Sequence, residues 1–206
     1  MGASANLAIR LCRFIGILLY GAFASLSALH ATEPDPEGEA RLAEPCFPCH
    51  GRDGNSEQPL FPKLAGQRAD FIVQEMEEFK DGRRSDPMMT GIAQIASDED
   101  IRRIAAYFAS QPVMQGEPGD PALVERGKTL FVDARCVFCH AEAGKSFVQL
   151  SGGPVIGGQH KAYLVKAMKD IKEGKRFGDT YDLMTRSLTR VSDDDIEAMA
   201  EYLSTR

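Results

Sequence analysis

Apolar residues recur along this chain with helical period. Between residues 70 and 80, Phe71, Ile72, Met76 and Phe79 share one face at helical spacing, the pattern of an amphipathic helix with one side turned to a core. Ile101, Ile104, Ala105 and Phe108 repeat the pattern, as do Ile196, Met199, Ala200 and Leu203. Ser97 and Ser192 each stand just ahead of such a run, followed by acids that end with Asp100 and Asp195 at the third helical position. A serine oxygen there satisfies a free backbone N–H, and acids suit the positive end of the helix dipole, so both serines are predicted N-caps. Residues 37–44 and 121–132 are predicted as further helices, and sustained period-2 alternation is absent. The expected fold class is all-α.

The pattern also repeats at long range. Cys46-Phe47-Pro48-Cys49-His50 recurs as Cys136-Val137-Phe138-Cys139-His140. Pro62 to Gln67 recurs as Pro154 to Gln159, Phe71 to Lys80 as Tyr163 to Lys172, and Ser97 to Ile101 as Ser192 to Ile196. Blocks matched in the same order imply a duplicated domain; a solenoid would need three or more copies. Pro112, Gly116, Pro118 and Gly119 interrupt any periodicity between the copies, which marks a linker. The expected partition is 32–111 for the first domain, 112–120 for the linker and 121–206 for the second.

Ahead of the repeats, Arg10 and Arg13 precede an apolar run from Phe14 to Leu29 with small residues around Ala28 and Ala31. A basic start, a short apolar stretch and a small-residue exit predict a secretory signal cleaved near Ala31, and therefore a periplasmic, exported protein. A retained anchor is the rival reading, but the run is short against the ~20 residues of a spanning helix. Cys12 would leave with the signal. Of the whole chain's net charge of −6, Arg10 and Arg13 contribute +2, so the part after residue 31 carries −8. Acidity without a basic stripe argues against nucleic-acid partners. The excess lies in the first half, while Lys161 to Arg176 is a basic stretch; either surface could meet a charged partner.

Two thiols three positions apart, followed at once by an imidazole, form the signature of covalent c-type haem attachment: the thiols add across the haem vinyl groups and the histidine reaches the iron. A four-cysteine zinc site wants its pairs about 15–20 residues apart, whereas Cys49 and Cys136 lie in different repeats. Two disulfides would leave His50 and His140 unexplained, and a thioredoxin-like motif would need a βαβ setting that is not seen here. The sequence therefore predicts two covalently bound haem c groups, on Cys46 and Cys49 and on Cys136 and Cys139, with His50 and His140 as iron ligands.

A methionine opposite each histidine would complete the coordination typical of electron-transfer cytochromes. Met89 and Met184 hold the same register in the loops predicted ahead of Ser97 and Ser192 and are the candidates; Met88, which aligns with Leu183, is second choice in the first half. Met76 and Met168 fall on helix faces and Met199 on a core stripe, where packing is the expected role. His160 has no histidine counterpart in the repeat and is expected to be an exposed residue near a helix start. Pro62 and Pro154 are placed to offer a backbone carbonyl to each haem histidine, the acceptor that such ligands normally need. No nucleophile–base, zinc-protease or phosphate-loop motif is present, so an electron carrier is expected rather than an enzyme.

With these residues in view, each half resembles a class I cytochrome c domain, and the pair resembles the dihaem cytochrome c4 family of bacterial periplasms. The likeness rests on Cys46 to Asn55, Phe61 to Gln67, Met89 to Gly91 and Ser97 to Ser110, and on their second-half counterparts. It implies two tandem class I cytochrome c-like domains with His/Met ligation of both haems. It also implies electron transport between redox partners, toward a membrane-bound terminal oxidase in the respiratory chain and near the membrane surface. Cys139 to Lys145 is similar instead to the dihaem cytochrome subunit of flavocytochrome c sulfide dehydrogenases, which implies, as the alternative, a subunit docked on a flavoprotein.

Overall fold

The computed structural model describes residues 36–140 and 153–206. The expected signal segment, Cys12, His30 and Ala141 to Lys145 lie outside the described residues. Residues from Pro36 onward gather into one compact unit, and among the described residues the regular elements are helical.

The first half contains α1 (Pro36–Ala43), a 3-10 turn (Glu44–Cys46), α2 (Phe47–His50), α3 (Ala69–Asp81), α4 (Pro87–Ile95) and α5 (Asp98–Ala109). The second contains α6 (Pro121–Asp133), α7 (Val137–His140), α8 (Lys161–Lys172), α9 (Asp179–Leu188) and α10 (Asp193–Ser204). Packing repeats with the sequence. In the first half α1 and α3 pack on α5, and α4 on α3; in the second α6 and α8 pack on α10, and α9 on α8.

The last helix of each half is the hub, because its apolar stripe meets two partners at once. Ile101, Ala105 and Phe108 are buried on α5, as are Ile196, Met199, Ala200 and Leu203 on α10. Both predicted caps form: Ser97 Oγ accepts from Asp100 N, and Ser192 Oγ from Asp195 N, each at 3.1 Å. A loop glycine then ties each hub helix down, Gly66 N–H donating to Phe108 O at 3.0 Å and Gly158 N–H to Leu203 O at 2.9 Å. Both glycines have positive φ, 61° and 74°, a conformation that costs a Cβ-bearing residue energy. On α6, a Cβ at Gly127 would lie 1.9 Å from Ala198 O, so the absent side chain is what lets α6 and α10 cross closely.

Three expectations are corrected. Met89 and Met184 do not lie in loops but on α4 and α9. Asp86 accepts from the Met88 and Met89 N–H groups, and Pro87 opens the helix, an arrangement suited to a helix start. On α3 the buried set is Ile72, Glu75, Glu78 and Phe79, with Phe71 and Met76 half-buried, so two carboxylates occupy the inner face. His160 is half-buried rather than exposed, and its Nε2–H donates to Ser56 O in the other half at 2.7 Å.

The seam between the halves follows the duplication. Gln67 Nε2 donates to Val155 O at 2.7 Å and its Oε1 accepts from Val155 N at 2.9 Å. Gln159, the repeat counterpart of Gln67, makes the same two bonds to Lys63, at 2.9 and 2.8 Å. Each copy thus holds the other through the same residues, the self-complementary geometry of a two-fold interface. Arg84 and Arg176, also repeat counterparts, meet there as an antiparallel bridge.

Candidate functional site

Each Cys-x-x-Cys-His run closes on a short helical turn: in the first half Cys46 ends the 3-10 turn and α2 carries Cys49 and His50, and in the second Cys136 stands in the turn just ahead of α7, which carries Cys139 and His140. Residues three apart on a turn share a face, so Cys46 and Cys49 lie side by side, as do Cys136 and Cys139, with a histidine closing each turn. Cys46 and Cys49 form no disulfide, and neither do Cys136 and Cys139. Burial pushes the Cys46 and Cys136 thiols above their ordinary pKa, which keeps them protonated.

His50 and His140 are each 7% exposed. The Nδ1–H of His50 donates to Pro62 O at 2.9 Å, and that of His140 to Pro154 O at 3.5 Å. A carbonyl oxygen only accepts, so the proton must sit on Nδ1, and the Nε2 lone pair is left available to a metal. Burial lowers the pKa of both imidazoles against the opposing pull of the proline carbonyl, and the nearby Arg84 charge lowers that of His50 further. Both rings are therefore held neutral, in the form that ligates.

In the second half the structure brings the predicted pair together: Met184 Sδ lies 3.4 Å from His140 Nε2. Met184 packs against Ile171, Tyr181 and Leu188, which aim its side chain. In the first half Met89 is half-buried on the first turn of α4; among the described residues no hydrogen bond joins it to His50. The neighbouring positions discriminate in the same way in both halves. Met88 is 51% exposed and its counterpart Leu183 is 65% exposed, so both turn outward while Met89 and Met184 turn in. Met199 is core at 1% exposure, Met114 is 57% exposed, and Met168 packs in two apolar clusters.

Sequence reasoning missed a buried charged cluster at the seam. Glu75 is bound by Arg84, by Arg176 Nη2 at 2.6 Å and by the Tyr181 hydroxyl, while Arg84 Nη2 donates to Tyr163 Oη at 3.0 Å. Burial and the adjacent Glu75 carboxylate raise the Tyr181 pKa, so its hydroxyl remains a donor. A signal existed: Gly82-Arg83-Arg84 recurs in register as Gly174-Lys175-Arg176.

Each site supplies two thiols beside a neutral imidazole with a free Nε2, a donor set that fits covalent haem; the four-cysteine zinc and disulfide readings would leave the imidazole without a role. Comparison with known proteins agrees with this chemistry. The family model "Cytochrome c" matches residues 124–206, and "Cytochrome C oxidase, cbb3-type, subunit III" matches residues 33–108. With two such domains, the molecule is a dihaem c-type cytochrome, all-α, with two covalently bound haem c groups.

Cytochrome c4 of Pseudomonas aeruginosa is 39% identical, over 84% of this chain and 89% of that one. The solved structure of reduced recombinant cytochrome c4 from Pseudomonas stutzeri superposes with a TM-score of 0.75 at 38% identity, covering 83% of this chain and 98% of the other. The thiosulfate dehydrogenase electron acceptor of Stutzerimonas stutzeri is 30% identical, over 90% of this chain and 93% of its own. The chain belongs to the cytochrome c4 family, whose members are electron carriers and not enzymes.

Proposed function

We propose that His50 with Met89, and His140 with Met184, are the axial pairs of the two haem irons, and that the protein carries single electrons in the periplasm toward a terminal oxidase. When bound, haem supplies a one-electron ferrous–ferric couple. The residues hold it, orient it and set its potential. Held by a thioether and an imidazole, the haem would favour the reduced state, and two protein ligands for each iron would leave no place for a substrate. The observation that carries this reading is the 3.4 Å approach of Met184 Sδ to His140 Nε2, with Met89 at the equivalent position of the repeat. On the same reading, residues 1–31 serve export, with cleavage near Ala31. Residues 32–111 and 121–206 then form the two haem domains, joined by 112–120. Among the described residues no helix is long and apolar enough to cross a membrane.

The test is Met89→Ala and Met184→Ala in turn. Each should lower the potential of its own haem by a large margin, leave the other near its original value, and open the altered site to carbon monoxide in the reduced protein. An unchanged potential in either variant would remove that methionine from the ligand set.

The likeness to the thiosulfate dehydrogenase electron acceptor supports a second reading, in which this chain accepts electrons from a dedicated dehydrogenase of sulfur compounds. That donor includes the flavoprotein sulfide dehydrogenase suggested by Cys139 to Lys145. Purification from the native host separates the readings: a stoichiometric dehydrogenase subunit co-eluting with the haem protein favours the second, and a lone cytochrome favours the first.

A further inference from the structure

The nine residues of α4 (Pro87–Ile95) include no charged side chain, yet three large apolar ones stand in solvent: Met88 at 51%, Ile92 at 37% and Ile95 at 87% exposure. Steps of four and three residues put them on one face, as a stripe. Exposed apolar residues scattered singly need no explanation, but a contiguous strip invites a partner. Its two ends are acidic. Asp86 caps the N-terminal end, and Asp98, Glu99 and Asp100 follow the C-terminal end. Of the cations nearby, Lys80 is taken up by Asp98 at 2.6 Å and Arg102 also acts on Asp98.

The duplication provides an internal control. In the register that pairs Met89 with Met184, the stripe positions become Leu183, Ser187 and Arg190, and Gly91 becomes Arg186. Arg186 and Arg190 are exposed, and neither has an ion-pair partner among the described residues. The acids that follow the stripe recur as Asp193, Asp194 and Asp195, so the halves differ on the helix face itself, which is uncharged and apolar on α4 and carries Arg186 and Arg190 at the α9 end.

We propose that the Met88–Ile92–Ile95 face of the first half is the docking surface for a redox protein with an apolar contact patch and a positively charged rim, and that the matching face of α9 rejects that partner. An apolar centre desolvates the contact while opposite rim charges steer the encounter and exclude like-charged competitors. The acidic ends of the stripe disfavour an anionic lipid surface. Because the stripe begins one residue from Met89, the inference rests on the electron-carrier reading and adds to it which end meets which partner.

The experiment uses the reduced holoprotein and two oxidants of opposite charge: tris-phenanthroline cobalt(III), an apolar trication, and ferricyanide, an anion. Each takes one electron from a ferrous haem, leaving ferric haem with cobalt(II) or ferrocyanide. The cobalt rate should saturate, and the double variant Ile92→Ser, Ile95→Ser should weaken the apparent affinity about tenfold while the ferricyanide rate holds. The inert chromium(III) analogue should broaden the NMR signals of Ile92 and Ile95 and spare Leu183. Unchanged cobalt affinity in the variant, or broadening centred on α9, overturns the proposal. So does stripe-dependent binding to phosphatidylglycerol vesicles or stripe-dependent self-association, which would assign the face to a membrane or to a second copy. If neither oxidant takes an electron, the carrier reading itself fails. Both substituted side chains are exposed, and an unchanged haem spectrum checks that the variant folds.

Discussion

Glu78 is fully buried on α3, yet only one of its carboxylate oxygens has a donor. Oε1 accepts from Gln74 Nε2 at 2.9 Å and lies 3.8 Å from Arg83, while Oε2 has no hydrogen-bond partner. Burial raises its pKa first; the Gln74 bond opposes this, Glu75 adds to it, and Arg176 and Tyr181 oppose it. The folded state thus binds this proton more tightly than the unfolded chain does. Stability from the neutral acid is complete below the ordinary glutamate value and declines as pH rises from there through the raised one. We expect Glu78→Gln to abolish that decline. In denaturation measured from about pH 4 to about pH 8, the variant should gain on the wild type as pH rises and then hold a constant lead. A difference independent of pH would show that Glu78 titrates alike in the folded and unfolded states, so that burial does not hold its proton. Helical period puts Glu77 opposite the predicted apolar face and Glu78 on its flank, but it does not tell that residues of the other half will cover that flank.

At the scale of the element, most of the helices could be read from sequence. Their signals are local: apolar period, a capping hydroxyl and acids in the first turn all lie within a few residues. The Ser192 cap matters more than an ordinary cap because α10 is packed by both α6 and α8. Ser192→Ala should cost about 1 kcal/mol, read as a lower midpoint in chemical denaturation with haem attachment intact; no shift would mean that the Asp195 carboxylate replaces the lost oxygen. The helices that carry Met89 and Met184 were not foreseen. For α4 the Asp86-Pro87 pair is a legible start signal, but Gly91 weakens the helical pattern that follows. α9 has Gly178 at its N-cap position and no side-chain cap, so its start left no mark. The attachment sites show the opposite case. Covalent chemistry demands fixed spacing, so Cys46 to His50 and Cys136 to His140 declared themselves, whereas an axial methionine is set by tertiary packing and could be found only through the register of the repeat.

At the scale of the whole molecule, the two-fold relation was latent in the duplication, but its contacts were not, because each joins residues of opposite halves. The symmetry is also incomplete in a way that assigns weight. The Gln67 and Gln159 bonds are reciprocal, while Glu75 has Ala167 as its repeat counterpart, so a single carboxylate serves both Arg84 and Arg176. Arg176 is 5% exposed, and its Nε has no acceptor. Removing Glu75 would leave two largely buried guanidinium groups without their anion, and breaking a buried pair from one side typically costs about 3–5 kcal/mol. We therefore expect Glu75→Ala to be far more damaging than Gln67→Ala or Gln159→Ala, which should be alike because the bonds they lose are equivalent. The damage should be local to the seam, since each half keeps its own hub helix and its own core. Urea unfolding followed through the haem absorbance should then change from one cooperative transition to two as the halves come apart. If Glu75→Ala unfolds in one step with a midpoint like that of the glutamine variants, the carboxylate does not hold the seam and the reciprocal glutamine bonds do.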